Sequence, residues 1–515
     1  MHSICPMRWQ SRGLRKLQQL STIEIELREI LPAQTKRYLV AKTTGNNRPR
    51  VTQTRDSDSS RRVYLHSSSH NSRQYLQPLT SPSYLTSATF HINHINPQPT
   101  YSHPNPTMAS PAPAPASSEH FDPPTSLDLK ATQLAALITS STHFIVFTGA
   151  GISTSAGIAD FRGPTGVWTL RAAGLASQIQ SVSTLTAIPT PTHMALVALQ
   201  DAGILKHLVS QNCDGLHRRS GIRKEMISEL HGNSNLEVCR VPFPPAASSG
   251  VAPAQVQGGC GREYLRDFRA VASYEKTVHD HRTGRKCGSC GGNLYDTIIN
   301  FGEFLPEKPL ADAGAHAAKA DLCLVLGSSL TVPPASEIPE GVVEREGGGK
   351  KGKGGKGGEL VICNLQETYL DDRAGVRVWA RADELMERVM EKLGVEVPKF
   401  VLKRRLVVDV ERMDAGGERH KVSLRGVDVD GTEVSFLKSV RMEGMRRVMK
   451  EEPFAISFRR ALEVGDVFEV EVEFMGHYAE PNLVIKHVYG GETGYLLEYD
   501  PSTGEWKVEQ GKVEG

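Results

Sequence analysis

Four short apolar runs, each broken off at once by small or polar residues, restrict this chain to few architectures. Phe144-Ile145-Val146-Phe147 leads into Thr148-Gly149-Ala150-Gly151-Ile152-Ser153, and His207-Leu208-Val209-Ser210 into Gln211-Asn212-Cys213-Asp214-Gly215-Leu216-His217. Leu322-Cys323-Leu324-Val325-Leu326 leads into Gly327-Ser328-Ser329-Leu330, and Leu360-Val361-Ile362-Cys363 into Asn364-Leu365-Gln366. Short apolar runs of this kind are strands buried on both faces, which implies a parallel sheet covered by helices. A doubly wound sheet presents ligand contacts at the carboxyl ends of its strands, so the four polar breaks are expected along one crevice.

The first break is the most informative. Gly149 and Gly151 let the backbone approach a pyrophosphate, and N–H groups beside a helix start attract an anion. In the dinucleotide fingerprint of dehydrogenases a third glycine follows three residues later and an acid about 20 residues on. Here the next glycine is Gly157 and the acid is Asp160, within Asp160-Phe161-Arg162-Gly163, so that hydride-transfer fingerprint is excluded.

Cysteine spacing points to a metal. Cys287-Gly288-Ser289-Cys290 has the close thiolate pair and tight glycines of a zinc knuckle, and Cys239 and Cys260 complete a four-cysteine set. A CxxC pair alone could also be a redox dithiol. Cys323 and Cys363 lie in apolar strands and are expected in the core, and Cys5 in the N-terminal arm.

Organisation follows from composition. Residues 1–118 form a basic arm and a Pro/Ala linker expected to be disordered, because their apolar residues are too scattered to bury a core. Arg8, Arg12, Arg15 and Lys16 with no acid nearby also resemble a mitochondrial presequence, an alternative reading of the same charges. The formal net charge of +2 hides this basic arm on a mildly acidic remainder. No apolar run reaches the roughly 18 residues of a membrane helix. A Pro/Ala/Gly/Ser stretch over Arg240–Gly259 and a Gly/Lys insertion within 341–358 read as surface loops, the latter with a possible DNA or nucleosome contact. Beyond Lys399 the pattern changes to period two: Val408, Val410, Val470, Val472 and Phe474 alternate with acids, and Val429-Asp430-Gly431 and Tyr489-Gly490-Gly491 mark turns. Residues 400–505 are therefore expected to form a separate small all-β domain with an unknown partner, and 506–515 a tail.

The strings GAGISTSAGIADFRGPTGVW, PTPTHMAL, QNCDGLHRRSGI, ELHGN, GSSL and CNLQ, in this order, resemble the motif set of the sirtuins, the NAD-dependent protein deacylases. The GVW ending, Phe121-Asp122-Pro123-Pro124 and TGRKCGSCGGNLYDTI are most similar to the nuclear class IV branch. The resemblance covers residues 119–398. It implies a Rossmann-like α/β domain, a zinc-binding module at about 232–300, one structural zinc ion on Cys239, Cys260, Cys287 and Cys290, and NAD consumed as a co-substrate. In the family pattern the first two ligands lie close together, whereas an insertion separates Cys239 from Cys260; His279 and His281 are alternatives to Cys239.

The resemblance also assigns roles. His231 would be the general base, with Asn212 and Asp214 as further catalytic residues. Gly149, Ala150, Gly151 and Thr154 would line the phosphate and ribose loop, and Asp160, Phe161, Arg162 and Trp168 a segment closing over the cofactor. Gln211 would meet the ribose and nicotinamide end, and Gly327, Ser328, Ser329, Asn364, Leu365, Gln366 and Ala382 the adenosine side. Ala159 stands where the family has proline. The expected reaction converts an acyl-lysine protein, such as a histone or chromatin protein in the nucleus, into free lysine, with nicotinamide and O-acyl-ADP-ribose released. A protein mono-ADP-ribosyltransferase and an NAD-sensing chromatin scaffold are the alternative functions.

Overall fold

The computed structural model describes residues 118–240, 259–271, 280–344, 357–413, 419–458 and 461–511, with five short strand fragments between 22 and 75. The arm and linker expected over 1–118 lie, apart from those fragments and residue 118, outside the described residues, as do most of the insertion after Arg240 and of the Gly/Lys run. Residues 1–104 and 105–515 form two units, and the elements below belong to the second.

The second unit begins with α1 (Pro124–Ser140), β1 (Phe144–Thr148), α2 (Val167–Ala172), α3 (Pro191–Asp201), β2 (Leu205–Ser210), α4 (Leu216–Ser220) and β3 (Ile227–Glu229). The chain then forms β4 (Leu236–Cys239), β5 (Glu263–Arg266), β6 (Arg282–Lys286) and β7 (Asn293–Asp296) elsewhere. It returns through α5 (Glu307–Ala317), β8 (Leu322–Leu326), α6 (Glu337–Val343), β9 (Glu359–Cys363), β10 (Val376–Val378) and α7 (Ala382–Leu393).

The main sheet has six strands in the order β10-β9-β8-β1-β2-β3, all parallel. All four apolar runs seen in the sequence are strands of this sheet, and both faces are dry. Phe144, Val146, Leu322 and Leu324 pack on one side with Leu134 of α1, Leu196 of α3 and Val389 of α7. Ile145, Phe147, Cys323 and Val325 pack on the other with Ala313 of α5 and Val342 of α6. Each such buried side chain contributes about 1.5–3 kcal/mol, which explains why these strands carry no polar face. The chain runs from β1 to β2 on one side and only later returns to β8 on the other side of β1, so a crevice opens between the loops that follow β1 and β8.

The loop after β1 departs from expectation. No long helix starts at Gly151; two single 3₁₀ turns follow, Ala150–Ile152 and Thr154–Ala156, and the next α-helix begins only at Val167. Attraction for an anion here rests on loop N–H groups and not on a helix dipole.

The C-terminal strands are β11 (Leu402–Arg412), β12 (His420–Val427), β13 (Glu433–Ser435), β14 (Leu437–Met442), β15 (Val448–Met449), β16 (Phe454–Phe458), β17 (Val467–Phe474), β18 (Leu483–Val488), β19 (Gly494–Asp500) and β20 (Glu505–Gly511). A four-stranded sheet, β15-β14-β17-β18, packs its Val440, Val470, Val472 and Phe474 against Leu406, Val408, Val422 and Leu497 of a second sheet. Along β17 buried residues alternate with partly exposed acids, as period two requires.

Two boundaries differ from the sequence reading. The stretch read as a tail contributes β20, because Trp506 stacks on Phe474 at 4.6 Å between ring centroids. The Gly/Lys insertion starts after α6, which runs to Val343. The second sheet also continues past the C-terminal strands: β13 pairs in parallel with β5, Leu265 opposite Val434. The cysteine-bearing strands and the C-terminal strands thus share one ten-stranded sheet, ordered β6-β7-β4-β5-β13-β12-β11-β19-β20 with β16 on β12.

Candidate active site

The loops at the carboxyl ends of the parallel strands are laced together backbone to backbone. Gly149 N–H donates to Leu326 O at 3.0 Å, Gly151 N–H to Gly327 O at 2.9 Å, Gln211 N–H to Thr148 O at 3.0 Å and Gly327 N–H to Cys363 O at 2.9 Å. Only glycine permits this approach. A Cβ on Gly151 would lie 2.7 Å from Gly327 Cα, and Gly327 has φ +60°.

Side chains extend the lacing. Asn212 Nδ2 donates to Gly149 O at 3.0 Å, and Ser153 Oγ donates to Asp214 Oδ2 at 2.7 Å. Asp214 Oδ1 also accepts from Leu216 N–H at 2.9 Å, so both carboxylate oxygens are held at the start of α4. Ser328 Oγ donates to Gln211 Oε1 at 2.9 Å and joins the loops after β8 and β2. Asn212 and Asp214 are buried although polar, and these bonds satisfy them.

His231 follows β3. Its Nδ1 lies 3.1 Å from Gln211 O. A carbonyl can only accept, so Nδ1 carries the hydrogen and the neutral ring keeps its lone pair on Nε2. Burial pushes the His231 pKa down, and the bond to Gln211 opposes this in part. Gly232, at φ +78°, turns the chain where a Cβ would meet Thr297 O at 1.8 Å.

A cavity of about 370 Å³ opens beside these loops, lined among others by Ala150, Ser153, Phe161, Asn212 and Asp214. Phe161 is 46% exposed at its edge and packs on Trp168, with ring centroids 4.9 Å apart; Arg162 lies over the same indole at 4.4 Å. Trp168 therefore belongs to an aromatic group with Phe161 and Arg162 and not to the main core. Burial pushes the Asp160 carboxyl up, while the Gly163 N–H bond pulls it down. Thr154 Oγ1 donates to Gly151 O at 3.0 Å. His231 is not among the lining residues; it is joined to them by Gln211 and by Cys213, whose Sγ donates to His231 O at 3.2 Å.

The remaining positions lie farther along the same edge. Ser329 Oγ pairs with Thr331 Oγ1 at 3.0 Å, Asn364 Nδ2 donates to Gln366 O at 2.9 Å, and Gln366 Nε2 donates to Arg162 O at 3.3 Å. Leu365 O accepts from His120 N–H at 2.9 Å. The Ala382 side chain is in the apolar core at 5% exposure, so its free group toward a ligand is the backbone at the start of α7.

Thr184, Arg269, Val271, Asp280 and Asp296, which the sequence did not single out, also line the cavity, as does His281, named from the sequence only as an alternative metal ligand. His281 Nδ1 lies 3.1 Å from Asp296 Oδ1 and Nε2 lies 3.0 Å from Glu303 Oε1; these two hydrogen bonds raise its pKa to about 9. Strand pairing of β6 with β7 creates that group, and no local spacing signals it. Ser153, within the first motif, was legible from its place beside Ile152.

The four cysteines meet. Cys239 and Cys290 sulfurs are 3.4 Å apart, Cys260 and Cys287 sulfurs 3.5 Å, and all four lie within 4.8 Å of one another. A tetrahedral zinc with bonds of about 2.3 Å needs sulfurs about 3.8 Å apart, so the set fits that ion. The insertion does not separate Cys239 from Cys260 because it closes a hairpin: Cys239 N–H donates to Arg262 O at 2.9 Å and Gly261 N–H to Cys239 O at 2.9 Å. Of the two alternatives to Cys239, His281 is engaged by Asp296 and Glu303 and His279 lies outside the described residues; among the described residues the cluster consists of Cys239, Cys260, Cys287 and Cys290.

A parallel doubly wound sheet with glycine loops at its switch point, joined to a four-cysteine module, defines an α/β nucleotide-binding protein with a zinc site. Residues 174–334 match the model of the Sir2 family. The chain is 39% identical to the NAD-dependent protein deacetylase SRT1 of Arabidopsis thaliana, over 68% of this chain and 70% of that one. It is 40% identical to the NAD-dependent protein deacetylase sirtuin-7 of Bos taurus over 54% and 64%, and 38% identical to the NAD-dependent protein deacetylase Sirt6 of Drosophila melanogaster over 55% and 81%. The chain belongs to the Sir2 family, the sirtuins.

Proposed function

We propose that this protein is an NAD-dependent protein-lysine deacylase that acts on histones or other chromatin proteins in the nucleus. The observation that carries the reading is the convergence of Asn212, Asp214 and the Gln211–His231 pair on the edge where Gly149, Gly151 and Gly327 pack backbone to backbone. Similarity to enzymes named NAD-dependent protein deacetylases supports it.

The glycine loops suit a pyrophosphate, since their N–H groups are reachable without side chains in the way. Gly327, Ser329, Asn364 and Gln366 would hold the adenosine side, and Gln211 with Asn212 the ribose and nicotinamide end. NAD, when bound, would supply the ribose carbon that takes the acyl oxygen as nicotinamide leaves; transfer of the acyl carbon to a ribose hydroxyl and addition of one water would then break its bond to the lysine nitrogen and release free lysine. His231 Nε2, lone pair outward by tautomer, would take the proton of a ribose hydroxyl. Phe161, Arg162 and Trp168 would cover the site and exclude water. The cysteine cluster would hold one structural zinc remote from these steps.

Mass spectrometry of an acylated histone peptide incubated with NAD and the full chain tests this. Deacylated peptide with O-acyl-ADP-ribose is the expected result. ADP-ribose attached to protein without deacylated peptide would replace the reading with a mono-ADP-ribosyltransferase, and bound NAD without turnover would replace it with an NAD-sensing scaffold. Imaging of the tagged chain tests the nuclear placement; a mitochondrial signal would overturn it.

A further inference from the structure

Two adjacent residues of the C-terminal sandwich hold two separate chain segments, one carrying Thr184 and the other Arg269 and Val271, that contribute to the lining of the 370 Å³ cavity. They sit in the loop between β17 and β18. Tyr478 Oη donates to Ala187 O at 2.8 Å and accepts from Arg219 Nη1 at 3.4 Å. Arg219 Nη1 in turn donates to Thr184 O at 2.6 Å, and Thr184 lines the cavity. His477 Nε2 bonds the other way, to Asp267 O. Asp267 leads directly into Arg269 and Val271, which also line the cavity.

Asp267 is held by the sandwich at every polar group described. Arg404 Nη2 of β11 donates to its carboxylate at 2.7 Å, and its N–H donates to Ser435 O of β13 at 3.0 Å. The loop itself is braced, since Tyr499 Oη of β19 donates to Tyr478 O at 3.1 Å and Tyr478 N–H donates to Glu480 Oε2 at 2.9 Å. The two lining segments are therefore joined through one short, braced loop. Lobe movement that would separate Ala187 from Asp267 must break these bonds.

We propose that the sandwich is a positioning element for the cleft, with Tyr478 and His477 as the residues that fix the 183–189 and 267–271 segments relative to each other. This rests on the deacylase reading for its kinetic consequence but not for its structural one. The sandwich acts through the segments that carry Thr184 and Arg269, not by touching reacting atoms, so it adjusts how well an acyl-lysine segment seats beside them. Binding in a preset cleft avoids an ordering cost, which appears in peptide affinity more than in NAD affinity.

Tyr478→Phe in the full chain removes the hydroxyl and keeps the ring, and His477→Ala removes the opposite contact. A single buried hydrogen bond lost corresponds to roughly a two- to tenfold change. Expected for Tyr478→Phe are a rise of that size in KM for acyl peptide with NAD binding unchanged, and faster amide hydrogen exchange in residues 183–189 and 267–271. The double variant should add to both effects, and circular dichroism with the thermal midpoint reports whether each variant is folded. Unchanged exchange in both segments for the folded double variant would overturn the proposal. Faster exchange in a chain that shows no deacylase turnover even as wild type would overturn the functional reading and leave the positioning role standing.

Discussion

Arg218 of α4 and Asp430 of the turn between β12 and β13 meet at 2.8 Å, with the arginine side chain 3% exposed. Asp428 joins the same guanidinium at 2.9 Å. The helix that follows the Asn212–Asp214 loop is thereby tied to a turn of the C-terminal sandwich. Removing both carboxylates would strand a buried charge at a cost of about 3–5 kcal/mol. The Asp428→Asn/Asp430→Asn double variant is expected to lose stability on that scale in urea unfolding, and adding Arg218→Met should restore part of it. A loss below about 1 kcal/mol would show that the pair is solvated in the folded chain.

As the proposed general base, His231 is expected to set the acid limb of activity. Burial holds its pKa below the ordinary 6.5, so the neutral form that can accept a proton persists to more acid pH. The acid limb of kcat/KM is expected to have its midpoint below 6.5. His231→Ala should remove that limb and reduce kcat/KM by about 10²- to 10⁴-fold. An acid midpoint above neutrality would assign the limb to another group.

One zinc per chain is the expected metal content, because the four thiols form one cluster. Burial pushes the Cys287 thiol up, but bonds from the Tyr264 hydroxyl and from the Cys290 and Ser289 amides bring it down to about 6. Elemental analysis of the full chain tests the stoichiometry. Chelation, or Cys260→Ser with Cys290→Ser, should lower the thermal midpoint by roughly 5 °C or more, since metal binding is coupled to folding. A fully stable protein without zinc would refute the site.

Gly151→Ala tests the backbone contact between the two glycine loops. Its Cβ would fall 2.7 Å from Gly327 Cα and 3.0 Å from Gly327 O, with no flexible side chain to give way. Overpacking of about 1–3 kcal/mol translates into a loss of NAD affinity of roughly 5- to 150-fold by calorimetric titration. Gly314→Ala is the control: nothing lies within 4 Å of the added atom, and NAD affinity should not change.

Much of this was legible in the chain itself. Phe144–Phe147 and Leu322–Leu326 announce strands because a strand dry on both faces has no choice but to be apolar, and that is a local property. The polar breaks after them announce the crevice for the same reason. Cys287 and Cys290 were readable from spacing, and the period of Val470, Val472 and Phe474 from alternation.

Other features arise only between distant residues. The pairing of β5 with β13 uses backbone hydrogen bonds at a sheet edge, which any residue can make, so Leu265 and Val434 carry no mark of it. Cys239 joins the cluster because its hairpin partner is Arg262, whatever the length of the insertion between. The tautomer of His231 depends on where the Gln211 carbonyl points, and the raised pKa of His281 on two carboxylates brought to it by folding. Side-chain patterning determined which segments are buried and which edge is polar; tertiary structure alone decided which edges meet, because backbone groups pair without regard to the identity of the side chains they carry.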